Sequence, residues 1–405
     1  MDYHIIVIGA GPAGLSFARA LANTNLNILI IEKSSLDSLR EPEPDGREIA
    51  LTHLSVDLLK DLDAWQHIPD EFVALIKHAR VINGKSPYSL NFDNDQSAVS
   101  ALGYLTPNFL IRKALLEAVA QQENVTLKTE ASVKDVRTNH RNASVTLSNG
   151  EQLTADLLVA ADSRFSQTRR IMGIPADMHD FSRTAIVCRM QHEKPHQATA
   201  LECFHYGRTL AVLPMNGNMS SIVITVSSDT SAAILDMDEE QFNADIQRRL
   251  NNQLGDMKLV GQRYPYPLVS VHANRFIARR FALIGDAAVG MHPVTAHGFN
   301  LGLRGAHCLA YEIKKAMSDK RKFSSLSVLK EYETMHMRQT RPLYHGTNGI
   351  VGLFTNETRP AKLLRNFTLR LANNLPPLKS LITSKLTEKQ NSFSLPSTVR
   401  RILSR

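Results

Sequence analysis

Cysteine is scarce in this chain: Cys188, Cys203 and Cys308 are the only three among 405 residues, and no two share a Cys-x-x-Cys spacing. An odd, unpaired set argues against a disulfide framework and fits a reducing, cytoplasmic compartment. Long apolar runs are missing too. No stretch reaches the ~18 consecutive apolar residues of a membrane-spanning helix. The apolar run at the start has no basic residues before it and no small-residue cleavage site after it, so it reads as a buried strand, not a signal peptide. His292 and His297 stand five apart with no third ligand nearby, so no metal site is expected. No Ser-His-Asp constellation or acid–base carboxylate pair is found, and no catalytic residue is assigned. Nothing resembles a nucleic-acid-binding motif, and there are no internal repeats.

What remains is a folded chain of ordinary composition, 43% hydrophobic and 21% charged, long enough for a large core and more than one domain. The net charge of +8 is unevenly spread. From Arg359 onward, Lys362, Arg365, Arg370, Lys379, Lys385, Lys389, Arg400, Arg401 and Arg405 face only Glu388, with Leu363, Leu364, Phe367, Leu369 and Leu371 among them. Such a region suits the anionic inner face of a membrane, and it equally suits simple solubility.

The opening reads as a βαβ unit. Residues 3–8 form a fully apolar strand, residues 12–22 a helix, residues 23–27 a turn, and residues 28–31 a second apolar strand ending at Glu32. Strands buried on both faces imply a parallel sheet covered by helices. Helices are expected over residues 55–64 and 107–120, and strands over 125–127, 133–136, 145–147 and 157–160, the last ending near Asp162. From about Phe181 the pattern turns partly alternating. Strands over 185–190, 200–205, 210–214 and 221–226, a hairpin at Met215-Asn216-Gly217-Asn218 and a helix over 239–250 read as an antiparallel sheet. Residues 281–284 return to an apolar strand ending in Gly285-Asp286. A long helix follows over 299–317, and the chain is mostly helical after Leu326.

Two segments more than 250 residues apart carry the chemistry. In Gly9-Ala10-Gly11-Pro12-Ala13-Gly14, Gly9 permits a tight turn, Gly11 lets backbone approach a pyrophosphate, and Gly14 allows close helix–strand packing. The helix N-terminus offers free N–H groups to phosphate. Glu32, with Lys33 beside it, lies where an acid binds ribose hydroxyls. Arg47 and Arg112, the latter read as opening a helix, each suit phosphate or a ribityl oxygen, and each equally suits an ordinary surface arginine. In the second segment, Asp286 ends a strand and can accept from sugar hydroxyls. Gly298 permits backbone to approach a flat ring. The N-terminus of the helix at Phe299 can stabilise charge on the pyrimidine end of a reduced flavin, and Asn300 can bond the same edge. His292 before Pro293 reads as a loop residue beside the ring.

Together these segments resemble the single-component FAD-dependent aromatic hydroxylases, the family with the para-hydroxybenzoate hydroxylase fold. Within it they are most similar to the ubiquinone-biosynthesis branch. The likeness rests on Gly285-Asp286-Ala287-Ala288, His292-Pro293 and Gly298-Phe299-Asn300-Leu301-Gly302, with Arg47, Arg112 and Asp162 also in place, and it covers roughly residues 1–350. The phrase from Met291 to Gly298 is closest to the bacterial demethoxyubiquinol hydroxylases of that branch. The chain departs at Asp162-Ser163, where the family usually has Asp-Gly, and at His297 and Gly305, where it often has Gln and Asp.

The resemblance implies an α/β fold. A discontinuous FAD-binding domain with a Rossmann-like parallel sheet is expected over residues 1–75, 101–178 and 265–325. An inserted antiparallel-sheet substrate domain takes 76–100 and 179–264, and a helical basic region takes 326–405. It implies FAD, NAD(P)H as electron donor, dioxygen, and a peroxyflavin that hydroxylates a polyprenylated quinol or phenol from which water is kept away. It also leaves room for a quinone-biosynthesis complex and for peripheral membrane contact. Phe204, Tyr206, Leu213, Met215 and Val223 suit one wall of the substrate cavity or plain core. A soluble aromatic-acid hydroxylase of catabolism, a flavin-dependent prenyl reductase and a non-enzymatic flavin-binding scaffold are the other readings. The flavin halogenases are set aside, because Trp65 is the sole tryptophan and no Trp-x-Trp segment exists.

Overall fold

The computed structural model describes residues 2–83, 89–93, 101–205 and 208–355. The basic region after residue 355 and Tyr206 lie outside these residues. Ile5, Ile6 and Val7 are fully buried, as an apolar run with helices on both sides requires. Strand Tyr3–Ile8 pairs in parallel with Ile28–Ile31 on one side and with Gln152–Ala160 on the other. Val125–Lys128 extends the sheet beyond Ile28–Ile31, and Phe281–Leu283 extends it beyond Gln152–Ala160, again in parallel. Ala143–Leu147 and Val133–Thr138 add an antiparallel margin, where one face meets water and residues alternate.

The second sheet runs in the order Val289–Gly290, Met257–Ala273, Ala176–His192, Met219–Ser227, Arg208–Pro214, Thr199–His205, His78–Asn83 and Ser89–Asp93. The hairpin read at residues 215–218 closes as expected, with Met215 N–H donating to Met219 O. One pairing departs from the antiparallel expectation: Thr199–His205 runs parallel to His78–Asn83. The two longest strands, Ala176–His192 and Met257–Ala273, pair along most of their length and run through the 178/179 and 264/265 boundaries read from the sequence. The first half of each is largely exposed, which hid that half of Ala176–His192 from a periodicity reading, and no strand was expected over Met257–Ala273 at all. A third sheet, Glu48–Leu51, Gly103–Pro107 and Ala74–Ile76, was not anticipated either. Its strands are too short for alternation to register.

Helix Pro12–Ala20 and helix His297–Ser318 pack on the parallel sheet beside each other. The second starts two residues earlier than the sequence suggested. Helix Leu326–Thr355 covers it, and Tyr332, fully buried, donates its hydroxyl to Leu283 O at the end of a core strand. Gly305, at a departure from the family pattern, faces this helix. A Cβ there would lie 2.6 Å from His336 Nε2. The His336 ring is buried between Tyr332 and Phe276 and has no room to retreat.

Alanine is ordinarily the better helix former, yet Gly305→Ala should destabilise the fold by roughly 1–2 kcal/mol, because overlap with the ring outweighs the propensity gain. Urea unfolding of the variant against the wild type measures it.

Candidate functional site

The register of the parallel sheet determines where the site is. Ile8 pairs with Ile31 and with Ala160, and Ala160 pairs with Leu283, so four neighbouring strands end at the same level. Beyond those ends lie Gly9, Glu32, Asp162 and Gly285-Asp286. The ladder continues into them: Gly9 N–H donates to Ile31 O, Ala161 N–H to Ile8 O, and Ile284 N–H to Ala160 O. In open α/β sheets the carboxyl edge of the strands is where ligands bind. Glu32 and Asp286 are separated by three strand spacings, about 15 Å, within reach of one extended dinucleotide.

The glycines divide into two kinds. A Cβ on Gly14 would overlap the Gly9 carbonyl oxygen, and one on Gly9 would lie 2.6 Å from Ala161 O. These two are required by the protein's own packing. A Cβ on Gly11 or on Gly298 would meet nothing within 4 Å. The space beside them is on the ligand side. No side chain caps helix Pro12–Ala20, and none caps helix His297–Ser318, so both N-termini keep free N–H groups. Pro293 begins the short turn before the second helix, and Phe299 packs partly against the main core. The Glu32 carboxylate accepts from Ala10 N–H (2.8 Å) and Ser34 N–H (3.0 Å), which fixes its place and leaves lone pairs for hydroxyls. Lys33 beside it is exposed.

The two distant segments touch. Gly285 has φ +59, and a Cβ there would lie 2.6 Å from the Cβ of Ala13. Asp286 accepts from Arg164 Nη2 at 3.1 Å, and the same guanidinium donates to Val269 O. Arg169, buried, joins Arg164 O to Ala287 O. The middle motif is therefore bound to the second segment by two arginines, of which sequence reasoning missed Arg169. Asp162 itself faces its own chain: its carboxylate accepts from Ser166 Oγ (2.5 Å) and Thr168 N–H (3.0 Å). Ser163 has φ +77, the left-handed region that explains why glycine is usual at this position.

Other expectations need correction. Arg47 lies at the surface, as one of the two readings had it, but it is not free. It bonds Asp45 at 2.6 Å and lies over the Tyr266 ring. Burial pushes the Asp45 carboxyl up, but Arg47 and Asn108 more than offset it, and its pKa ends below the usual range. Arg112 does not open a helix. It lies inside helix Asn108–Ala120, half-buried, with no hydrogen-bond or ion-pair partner among the described residues, as an anion-binding guanidinium would be. The Asn300 side chain does not serve a ring edge with its donors. Both N–H groups go to Ala50 O and Ala296 O, and its oxygen accepts from Thr52 N–H. It ties the start of the long helix to strand Glu48–Leu51. No short motif could have shown this, because the partners are about 250 residues away.

His292 accepts at Nδ1 from Val294 N–H (3.2 Å). Burial, with Arg164 nearby, lowers its pKa to about 4, so the ring is neutral with its proton on Nε2. On the long helix Cys308 is buried and His307 half-buried, in keeping with a packing role. All three cysteines are buried and free, and burial pushes each thiol up to about 12, so none supplies a nucleophile. Phe204, Leu213 and Met215 belong to one apolar cluster with Leu105 and Phe92, against which Val294 of the second segment packs. Val223 stands on the same face by register.

The sequence profile of the FAD binding domain family matches residues 2–340. The chain belongs to this family. Its relatives include the ubiquinone hydroxylase UbiM of Neisseria meningitidis, 51% identical over 387 residues, covering 95% of this chain and 84% of that one. The ubiquinone hydroxylase UbiL of Rhodospirillum rubrum is 33% identical, covering 93% and 87%. Among solved structures, p-nitrophenol 4-monooxygenase PnpA of Pseudomonas putida superposes with a TM-score of 0.74 at 17% identity, covering 95% of this chain and 98% of that one. That likeness shows the fold alone. The FAD-binding family assignment agrees with the geometry: open space beside Gly11 and Gly298, uncapped helix ends and an unpartnered Arg112 all suit the cofactor.

The two kinds of glycine should separate by experiment. Gly11 has φ −73, which any residue adopts. Gly11→Ala should leave the flavin-stripped fold within about 0.5 kcal/mol of wild type while lowering retained FAD. Gly14→Ala should cost the stripped fold about 1–3 kcal/mol. Flavin absorbance after gel filtration and urea unfolding read the two effects. Ser163→Gly should stabilise by about 0.5–1 kcal/mol, seen as a higher unfolding temperature with flavin content unchanged.

Proposed function

We propose that the chain is an FAD-dependent monooxygenase that hydroxylates the aromatic ring of a polyprenylated quinol or phenol in ubiquinone biosynthesis. The observation that carries this reading is the 51% identity to UbiM across 95% of the chain; the open sides of Gly11 and Gly298 and the uncapped helix ends support it. Bound FAD supplies the redox and oxygen chemistry, with dioxygen as co-substrate. The chain's residues hold and shield. Gly9, Gly11, Pro12, Ala13 and Gly14 cradle the pyrophosphate, Glu32 takes the ribose, and Arg112 takes an anion. Asp286 and the helix start at Gly298 and Phe299 meet the ribityl and ring end. NAD(P)H is the proposed electron donor. The apolar face that carries Phe204 and Leu213 excludes water from the reacting ring.

A carboxylate-bearing substrate of the catabolic type is disfavoured by one contact. Arg189 lies on the same side of the second sheet as Leu213, but it is already held by buried Glu48 at 2.6 Å. No helix among the described residues is long and apolar enough to cross a membrane. Meeting a lipid-borne substrate therefore falls, in this reading, to peripheral contact through the basic C-terminal region, or to a biosynthetic complex.

The purified protein should be yellow. A deletion strain should accumulate a quinone precursor lacking one ring oxygen, detected by mass spectrometry and cleared by the wild-type gene. Normal quinone in that strain, with no redundant enzyme, rejects the reading.

A further inference from the structure

One carboxyl group on the second sheet is used by nothing described so far. Glu202 lies in strand Thr199–His205, between Ala200 and Phe204 on the same face. Across the sheet it stands opposite Val81 on one side and Ala211 on the other. Ala211 faces Val223, and Val223 faces Val187. Glu202 thus stands among Val81, Ala211, Val223 and Val187 as the one charged-type side chain, on the face against whose cluster Val294 of the second cofactor segment packs. The opposite face, with Cys203, Leu210 and Ile224, is closed by its own core.

Among the described residues Glu202 has no hydrogen-bond or salt-bridge partner. It is half-buried on the face that carries the Phe204 cluster. Burial alone pushes its carboxyl up to about 8. At neutral pH it is an uncharged acid, with one O–H donor and acceptor oxygens. A buried polar group without a partner is costly to keep unless a ligand completes it.

We propose that Glu202 is the polar anchor for a ring hydroxyl of the substrate, and a determinant of specificity for phenols and quinols over rings that lack one. A phenolic hydroxyl both donates and accepts, and so does a neutral carboxylic acid, so one side chain satisfies both needs. The surrounding aliphatic face takes the ring and its hydrocarbon substituent. The assignment rests on the hydroxylase reading above.

The test uses flavin-loaded protein, a short-chain prenylated phenol and the same ring with its hydroxyl replaced by hydrogen, with binding followed by flavin fluorescence. Wild type should prefer the phenol by about tenfold, the worth of one good hydrogen bond. Glu202→Gln, which mimics the neutral acid, should keep that preference within about threefold. Glu202→Leu should bind both rings alike while unfolding at the same or a higher temperature, since an unpartnered carboxyl has been removed. Glu202→Met repeats that comparison with an unbranched chain, should Leu distort the strand. A Leu or Met variant that holds flavin and still prefers the phenol overturns the proposal. So does a Gln variant that loses the preference as fully as Leu. A phenol that fails to bind the wild type refutes the hydroxylase reading, and this assignment falls with it.

Discussion

The contact on which the rest depends is one made almost without side chains. Gly285 turns back at positive φ directly against Ala13, a Cβ built on Gly302 of the long helix would come into ordinary contact with the Gly285 backbone at 3.4 Å, and Gly14 stands on Gly9. At Gly285 and Gly14 the packing admits no extra methyl group without displacing the neighbouring chain. It brings the N-terminus of one helix, the end of a distant strand and the flank of a second helix to one place. A site assembled from residues about 270 apart thereby becomes as rigid as the sheet beneath it.

Around that contact, charged side chains bind the segments to one another more than they reach outward. Arg164 holds Asp286, Arg169 joins the middle motif to the loop after Asp286, and Asn300 ties the long helix to strand Glu48–Leu51. Asp162 caps its own turn. What is left for a ligand is mostly backbone: the open sides of Gly11 and Gly298, uncapped helix ends, the free lone pairs of Glu32 and the half-buried Arg112. Backbone donors held by a sheet do not reorganise when charge develops, which is why such an arrangement suits a redox coenzyme.

The second sheet contributes shape. Its two faces are unequal: one is sealed by Phe242 and Ile246, and the other is apolar but open toward the cofactor loop through Val294. Reactive oxygen chemistry needs exclusion of water more than it needs acid–base groups. No nucleophile or paired carboxylate was found in the sequence, and the buried, free cysteines agree with that. On that face Arg189 is paired with Glu48, whereas Glu202 has no partner among the described residues.

Local sequence determined the first strand–helix–strand unit, the hairpin at residues 215–218, the long helix after Gly298 and the identity of the cofactor, because apolar runs and glycine spacing act over a few residues. It left the short sheet Glu48–Leu51, Gly103–Pro107 and Ala74–Ile76 unseen, together with the polar half of strand Ala176–His192 and the whole of strand Met257–Ala273. There, pairing with a distant strand overrides local preference. For single residues the division is sharper. The roles of Gly9 and Gly14 follow from motif spacing. Those of Asn300 and Arg169, and the seat of Arg47 over Tyr266, depend on which groups meet across more than a hundred residues, and only the folded chain decides that.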